Sequence, residues 1–564
     1  MNTIITRRLN MKAILKTLAI GSIAILSASC VKETFPTDSA TSGQLGASAS
    51  ALESVVNSSP SQWVQGYLVY GRQEYEYDMA YPGLMIITDS AAGEIVDHGN
   101  TGYDWYSFWS SNNYSVGENS GCAYVPWRTY YIFVKSANDV IGAVDPEIAS
   151  EAQLQFLAKA LCYRAFAYLN LARMYEYKAP TDPAVAGTYK PQSDITGLTV
   201  PIVTEKTTPE EAKNNPRATV EKVYELIFSD LDAAEKYFEG TTSKSSLFPT
   251  LAVAYGLKAR AYLERGSAGV SGAFASAAEY AKKALEAFGG SPLTQAQWED
   301  PTNGFNSATA NSNSWMWYLQ YDAENMGNLC NFVAHMSTEQ TWTMYGWNVA
   351  RGIPKSLYNQ IPNTDFRKHS WLDPKGDDFY LYKFGRDRGG KNDPYKKIGD
   401  GNFAYANIKF RPAAGDYATY KVGGASQVPM MRMEEMMLIQ AEALAMSGDL
   451  AGGKAVLNSL IKTRNPEYTC DNVANAALFQ QEVYFQKRVE LWGEGLIYFD
   501  AKRLGAGVRN GYNGTNAQEG YRFNCTGVAP WWNFVIPQYE IAGNPALKGF
   551  NNPDPTESVK EWTE

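Results

Sequence analysis

The stretch Arg432-Met433-Glu434-Glu435-Met436-Met437-Leu438-Ile439-Gln440-Ala441-Glu442-Ala443, followed by Gly448, Leu457-Asn458 and Arg464, decides how the rest of the chain is read. Apolar and small residues fill 431–446 at helical spacing, Ser447-Gly448-Asp449 makes a turn, and 450–464 carries a second helical stripe. Two helices joined so tightly form a hairpin, and a hairpin alone cannot cover its own apolar sides. Glu434 and Glu435 are adjacent, so on a helix they point apart. Gly448-Asp449-Leu450-Ala451-Gly452-Gly453-Lys454 has the spacing of a phosphate-binding loop up to its lysine. Ala455 replaces the required Ser or Thr and a helix precedes it instead of a strand, so no nucleotide is implied.

Outward from this hairpin the same periodicity recurs. Leu154, Leu157, Ala158, Leu161, Ala165, Tyr168, Leu169 and Ala172 mark a long amphipathic helix over 151–177. Val220, Val223, Ile227, Leu231 and Ala234 mark another over 219–238, and a pair follows at 251–264 and 273–288, the second rich in Ala where helices cross closely. The fold class expected is mostly α, a tetratricopeptide-like scaffold of helical hairpins in which the 34-residue period is not kept cleanly. That scaffold occupies 51–288 and 426–564. Between its halves, 289–425 reads as a large loop-rich, aromatic-rich insertion, broken by Asn, Gly, Asp and Pro and holding six of the fourteen tryptophans. The stretch 67–131 has the same character.

A chain of 564 residues with 45% hydrophobic and 19% charged positions is long enough for a large core or several ordinary ones. Its formal charge of −9 argues against nucleic acid, which requires clustered Lys and Arg in excess. Cys122, Cys162, Cys330, Cys470 and Cys525 show no Cys-x-x-Cys spacing, so neither a disulfide framework nor a zinc site is expected. The three histidines, His98, His335 and His369, have no paired ligand spacing; no metal, cofactor or catalytic residue is expected. Residues 1–29 carry Arg7, Arg8, Lys12 and Lys16, no acid, and then an apolar run too short to span a bilayer comfortably, the pattern of a signal peptide. The run ends at Ser27-Ala28-Ser29-Cys30, similar to the site at which bacterial lipoproteins are cleaved and acylated on Cys. Residues 30–50, rich in Ser, Thr, Ala and Gly, suit a flexible tether.

Several segments together resemble the SusD/RagB family of outer-membrane lipoproteins. The opening stretch is one of its signatures. A second is Arg488-Val489-Glu490-Leu491-Trp492-Gly493-Glu494-Gly495 with Asp500 and Arg503, and a third is Ile536-Pro537, Glu540-Ile541 and Asn544-Pro545. Upstream, Phe156-Leu157-Ala158-Lys159-Ala160-Leu161, Arg217-Ala218-Thr219-Val220 and Ala259-Arg260-Ala261-Tyr262-Leu263 also match. Gln486 stands where relatives usually have Glu, and Ile497 where Arg often precedes the Asp. The resemblance implies a non-enzymatic, surface-facing lipoprotein anchored through Cys30. Such a protein captures an oligosaccharide, or in some relatives a peptide, and passes it to a SusC-like TonB-dependent transporter. Signature residues are expected to be structural, as buried Glu–Arg pairs. An all-α glycoside hydrolase and a protein-interaction scaffold are the alternatives.

Pyranose rings stack their C–H faces on aromatic side chains while Asn, Asp and Gln bond the hydroxyls. Trp105, Tyr106, Trp109, Trp315, Trp317, Tyr318, Trp342, Tyr345 and Trp347 are therefore the candidate platform, with Asn112, Asn113 and Asp89 as hydroxyl partners. If Trp315-Met316-Trp317 is extended, alternation sends both indoles to one side, where one stacks on ligand and the other packs. Trp127 is expected in the core.

Overall fold

The computed structural model describes residues 48–71, 77–98, 116–241, 245–300, 304–321, 331–343, 350–374 and 404–556, together with Thr302, Ser558 and 561–563. Eleven helices of eight residues or more stand among the described residues. They are α1 Ala49–Gln62, α2 Ala80–Ala91, α3 Gly121–Ile141, α4 Glu151–Tyr175, α5 Val220–Phe238, α6 Leu251–Ser267, α7 Ala273–Phe288, α8 Met433–Met446, α9 Leu450–Ile461, α10 Ala476–Glu490 and α11 Ile497–Leu504. The short ladders are β1 Val96–His98, β2 Trp315–Gln320, β3 Ala350–Gly352 and β4 Gln427–Arg432.

The decisive stretch folds as its spacing requires. Asp449 caps α9 by accepting from Gly452 N at 2.8 Å, and Gly448 takes φ +106° at the turn, a conformation that favours glycine. α4 starts on a reciprocal capping box between Ser150 and Gln153. The buried positions of α5 include the whole expected stripe, Val220, Val223, Ile227, Leu231 and Ala234. From α3 to α9 each long helix packs on the next, so the scaffold is a stack of α-hairpins of the tetratricopeptide type. α7 bears on α8 even though some 145 residues separate them in sequence, because the insertion leaves the stack and returns to the same place.

That return is clamped. β2 pairs antiparallel with β4, Ser291 N donates to Asn313 O, and Leu293 N and Ser314 Oγ both donate to Glu434. Gly256 of α6 lies so close to the thioether of Met431 that any Cβ there would displace that side chain where α6 meets β4. Nearby, Arg260 grips Glu435 through two bonds of 2.6 and 2.7 Å.

Beneath the clamp lies a fully buried ionic cluster. Glu490 faces Arg464 at 3.0 Å, Arg367 at 3.1 Å and Arg432 at 3.3 Å, while Glu434 takes Arg432 and Arg464 at 2.9 Å each. Lys409 reaches Glu494 at 2.7 Å, and Arg367 closes on Asp365. The cations Arg367, Lys409, Arg432 and Arg464 balance Asp365, Glu434, Glu490 and Glu494. Gln486 Oε1 accepts from Arg367 at 2.6 Å, which keeps the hydrogen bond without adding a ninth charge to a neutral set. The signature residues Arg432, Glu434, Arg464, Glu490 and Glu494 are thus scaffold, as expected. A second group joins Glu442 of α8 to Arg503 of α11 and Lys487 of α10, which hold its carboxylate down at about pKa 2 against the effect of burial.

The stretch 67–131 departs from its loop-like reading, because it contains α2 and most of α3. Every residue of α2 from Ala80 to Ser90 is buried, so this helix has no polar face from which a period could be read.

Candidate functional site

Two strands far apart in sequence flank the segments that carry most of the candidate residues. β1 and β3 pair antiparallel with His98 opposite Ala350 and Val96 opposite Gly352. His98 is the last residue of β1 and Ala350 the first of β3, so the segment that follows β1 and the segment that precedes β3 leave from one end of one ribbon. Trp105, Tyr106, Trp109, Asn112 and Asn113 belong to the first segment, Tyr345 and Trp347 to the second. These seven residues, like Cys30, lie outside the described residues. On its other edge β3 is bridged to Ala406, and Arg351 is anchored by donating to His335 O at 2.7 Å.

The remaining candidates are placed individually. Trp342 is half-buried, its six-membered ring packed so closely on Gly423 that a Cβ there would lie 2.8 Å away. Tyr318 is also half-buried, 6.4 Å from the Trp315 ring. Both retain an accessible edge.

Trp315, Trp317 and Asp89 do not, and the expectation that they meet ligand is corrected. Both indoles are at 0% exposure. The pairing register shifts on either side of Trp317, a bulge that breaks strict alternation, and β2 is covered on both faces. Trp317 enters the ring cluster of Trp63, Tyr163 and Phe166, at 5.8, 6.0 and 5.3 Å, whereas Trp315 packs 5.6 Å from Phe305. Trp127 is in the core as expected, its indole N–H donating to Glu540.

Asp89 lies inside α2 and accepts from Gly495 N at 3.0 Å, tying α2 to the start of α11. Burial pushes its pKa up to about 8, opposed by the Gly495 amide and assisted by Glu94 and Glu494. The folded protein therefore holds this carboxyl neutral, whereas the unfolded chain ionises it near 3.8. The stability this confers is complete below that value and is lost as pH rises towards 8. Asp89→Asn is expected to remove the slope. The variant should match the parent in urea titrations near pH 3.8 and exceed it by a margin that widens up to pH 8. A stability difference independent of pH would mean the carboxyl is not neutral in the fold.

Two concavities adjoin the ribbon. An apolar one of about 40 Å³ is lined by Ile87, Ile95, Val96, Val116, Phe523 and Trp531. Val96 and Val116 bracket the segment that carries Trp105. Beside it opens a polar cleft of about 710 Å³, bounded by Glu94, Tyr484, Arg488, Asn510 and Tyr512. Its wall is the ribbon of β5 Val508–Arg509 and β6 Asn524–Cys525. Sequence reasoning did not single out this region. The Asn- and Gly-rich run 510–514 was the available signal. No helix among the described residues is long and apolar enough to cross a membrane.

Comparison with known proteins fits this architecture. A family model described as starch-binding, associating with the outer membrane, matches residues 61–263, and the SusD family model matches 296–553. Among solved structures, a SusD-like carbohydrate binding protein from Bacteroides vulgatus ATCC 8482 is similar at 20% identity and a TM-score of 0.66, covering 88% of this chain and 97% of its own. Surface glycan-binding protein A from Bacteroides thetaiotaomicron is 17% identical with a TM-score of 0.60, covering 89% of this chain and 98% of its own. Its namesake from Bacteroides uniformis is 17% identical with a TM-score of 0.62, covering 90% and 99%. At these identities the likeness is one of fold. No curated protein matches.

Proposed function

The chain belongs to the SusD/RagB family, and on that premise we propose that it is a surface-facing outer-membrane lipoprotein that captures an oligosaccharide or polysaccharide. It hands this cargo to a partner SusC-like TonB-dependent transporter without chemically changing it. Cys30 carries the acyl anchor and 30–50 the tether. The observation that carries the reading is the β1–β3 register, from one end of which both aromatic-rich segments depart. Trp105, Tyr106, Trp109, Tyr345 and Trp347 then supply stacking faces, Asn112 and Asn113 bond hydroxyls, and Trp342 and Tyr318 extend the surface. The family model described as starch-binding supports the choice of a glycan, as do the printed names of the similar structures.

Stacking on a few rings gives modest affinity, and modest affinity implies fast release, which a handover requires. Affinity electrophoresis against a panel of soluble polysaccharides is the test. At least one glycan should retard the protein. Trp105→Ala and Trp109→Ala should each weaken that retardation, about tenfold for a lost stacking contact of 1–1.5 kcal/mol, with unchanged helix content. Release of reducing ends from the bound glycan would overturn the proposal in favour of a hydrolase, and retardation by none would leave the glycan reading without a ligand.

A further inference from the structure

The polar cleft beside β5 and β6 holds a guanidinium that the scaffold positions but does not use up. Arg488 Nε donates to Glu94 Oε1 at 2.7 Å, and Glu94 is itself buried. Among the described residues the two terminal nitrogens of Arg488 meet no protein acceptor, and its side chain stays 25% exposed into the cleft while that of Glu94 is 2% exposed. Its neighbours on α10 behave differently, since Lys487 and Glu490 are consumed entirely by internal pairs.

The rest of the lining points the same way. Its charged residues are Glu94, Arg488 and Arg509, a local excess of one positive charge in a chain whose formal charge is −9. Tyr484 and Tyr512 present aromatic rings, and Arg509 lies 5.9 Å over the Tyr512 ring. The Asn510 side-chain amide makes no hydrogen bond to described residues and also faces the cleft. A fixed planar pair of N–H donors matches the two oxygens of a carboxylate, while tyrosine faces and a free amide suit a pyranose ring and its hydroxyls.

We propose that this cleft is a second ligand site, separate from the aromatic segments at the β1–β3 ribbon, and that it takes a carboxylate-bearing sugar residue, a uronate, on Arg488. The choice of a sugar rests on the capture function proposed above; the choice of a carboxylate rests on the cleft alone.

The test titrates the mature protein with methyl galacturonide, methyl galactoside and acetate by calorimetry. The galacturonide should bind at least about tenfold more tightly than either control, the worth of one charge-assisted pair. Arg488→Gln should abolish that preference. Because this change leaves Glu94 buried without its cation, Asn510→Asp is the companion variant. It is nearly isosteric, and its new charge should weaken galacturonide binding about tenfold more than galactoside binding. Equal binding of galacturonide and galactoside, or a folded Asn510→Asp protein that binds galacturonide like the parent, overturns the proposal. A neutral polysaccharide that retards the protein while galacturonide fails to bind removes the cleft and keeps the capture function. Galacturonide binding with no glycan retained in the electrophoretic panel keeps the cleft and removes capture at the ribbon.

Discussion

Glu490→Ala is expected to destabilise the protein by about 3–5 kcal/mol, because it strips one carboxylate from a buried, charge-balanced cluster. Glu490 is at 0% exposure and faces Arg464, Arg432 and Arg367 at 3.0–3.3 Å. Without it those guanidiniums crowd one another with no water to screen them. Burial by itself would raise the pKa of Glu490, yet Arg464, Arg432 and Arg367 hold it well below the ordinary 4.5. Its contribution is therefore complete above pH 4.5 and fades only in strong acid. Urea titration at neutral pH, followed by far-ultraviolet circular dichroism, measures the effect. A loss smaller than about 1 kcal/mol would mean that water already reaches the cluster.

Trp317→Ala should be comparably severe, at about 3–5 kcal/mol, for a different reason. Its indole fills the seam between β2 and the helical stack, within 6.0 Å of the Trp63, Tyr163 and Phe166 rings, and no neighbour is free to collapse into the space left behind. Trp342→Ala, at a half-buried position, serves as the control and should cost far less. The pair separates packing from recognition. Trp317→Ala should lower the melting temperature while the folded fraction keeps its glycan affinity. A stable Trp317→Ala protein that had lost its ligand would return this indole to the binding surface.

Helices such as α5 and α7 were legible because each has one buried stripe and one wet face, and α4 was legible from its length and its Leu and Ala spacing although its second half is buried all round. α2 was not, since a helix buried all round shows no period, and Asp89 within it looked like an ordinary turn residue. The signature glutamates and arginines were readable as pairs. Their partners Asp365, Arg367 and Lys409 were not, because they come from the insertion, where charged side chains normally face water. Trp315-Met316-Trp317 was read by alternation, and a bulge defeats alternation. The meeting of β1 and β3 is a pairing of three-residue strands some 250 residues apart that no local pattern announces.

The clamp at the foot of the insertion also bears on how the chain reaches its native state. Arg260 and its signature partner Glu435 are 175 residues apart in sequence. As the polypeptide emerges from its amino terminus, the first hairpins are left with α7 uncovered until α8 has been delivered. Contacts of such long sequence separation slow folding and leave apolar surface open in the meantime. A chain synthesised only as far as α7 is thus an unfinished solenoid with one apolar end exposed.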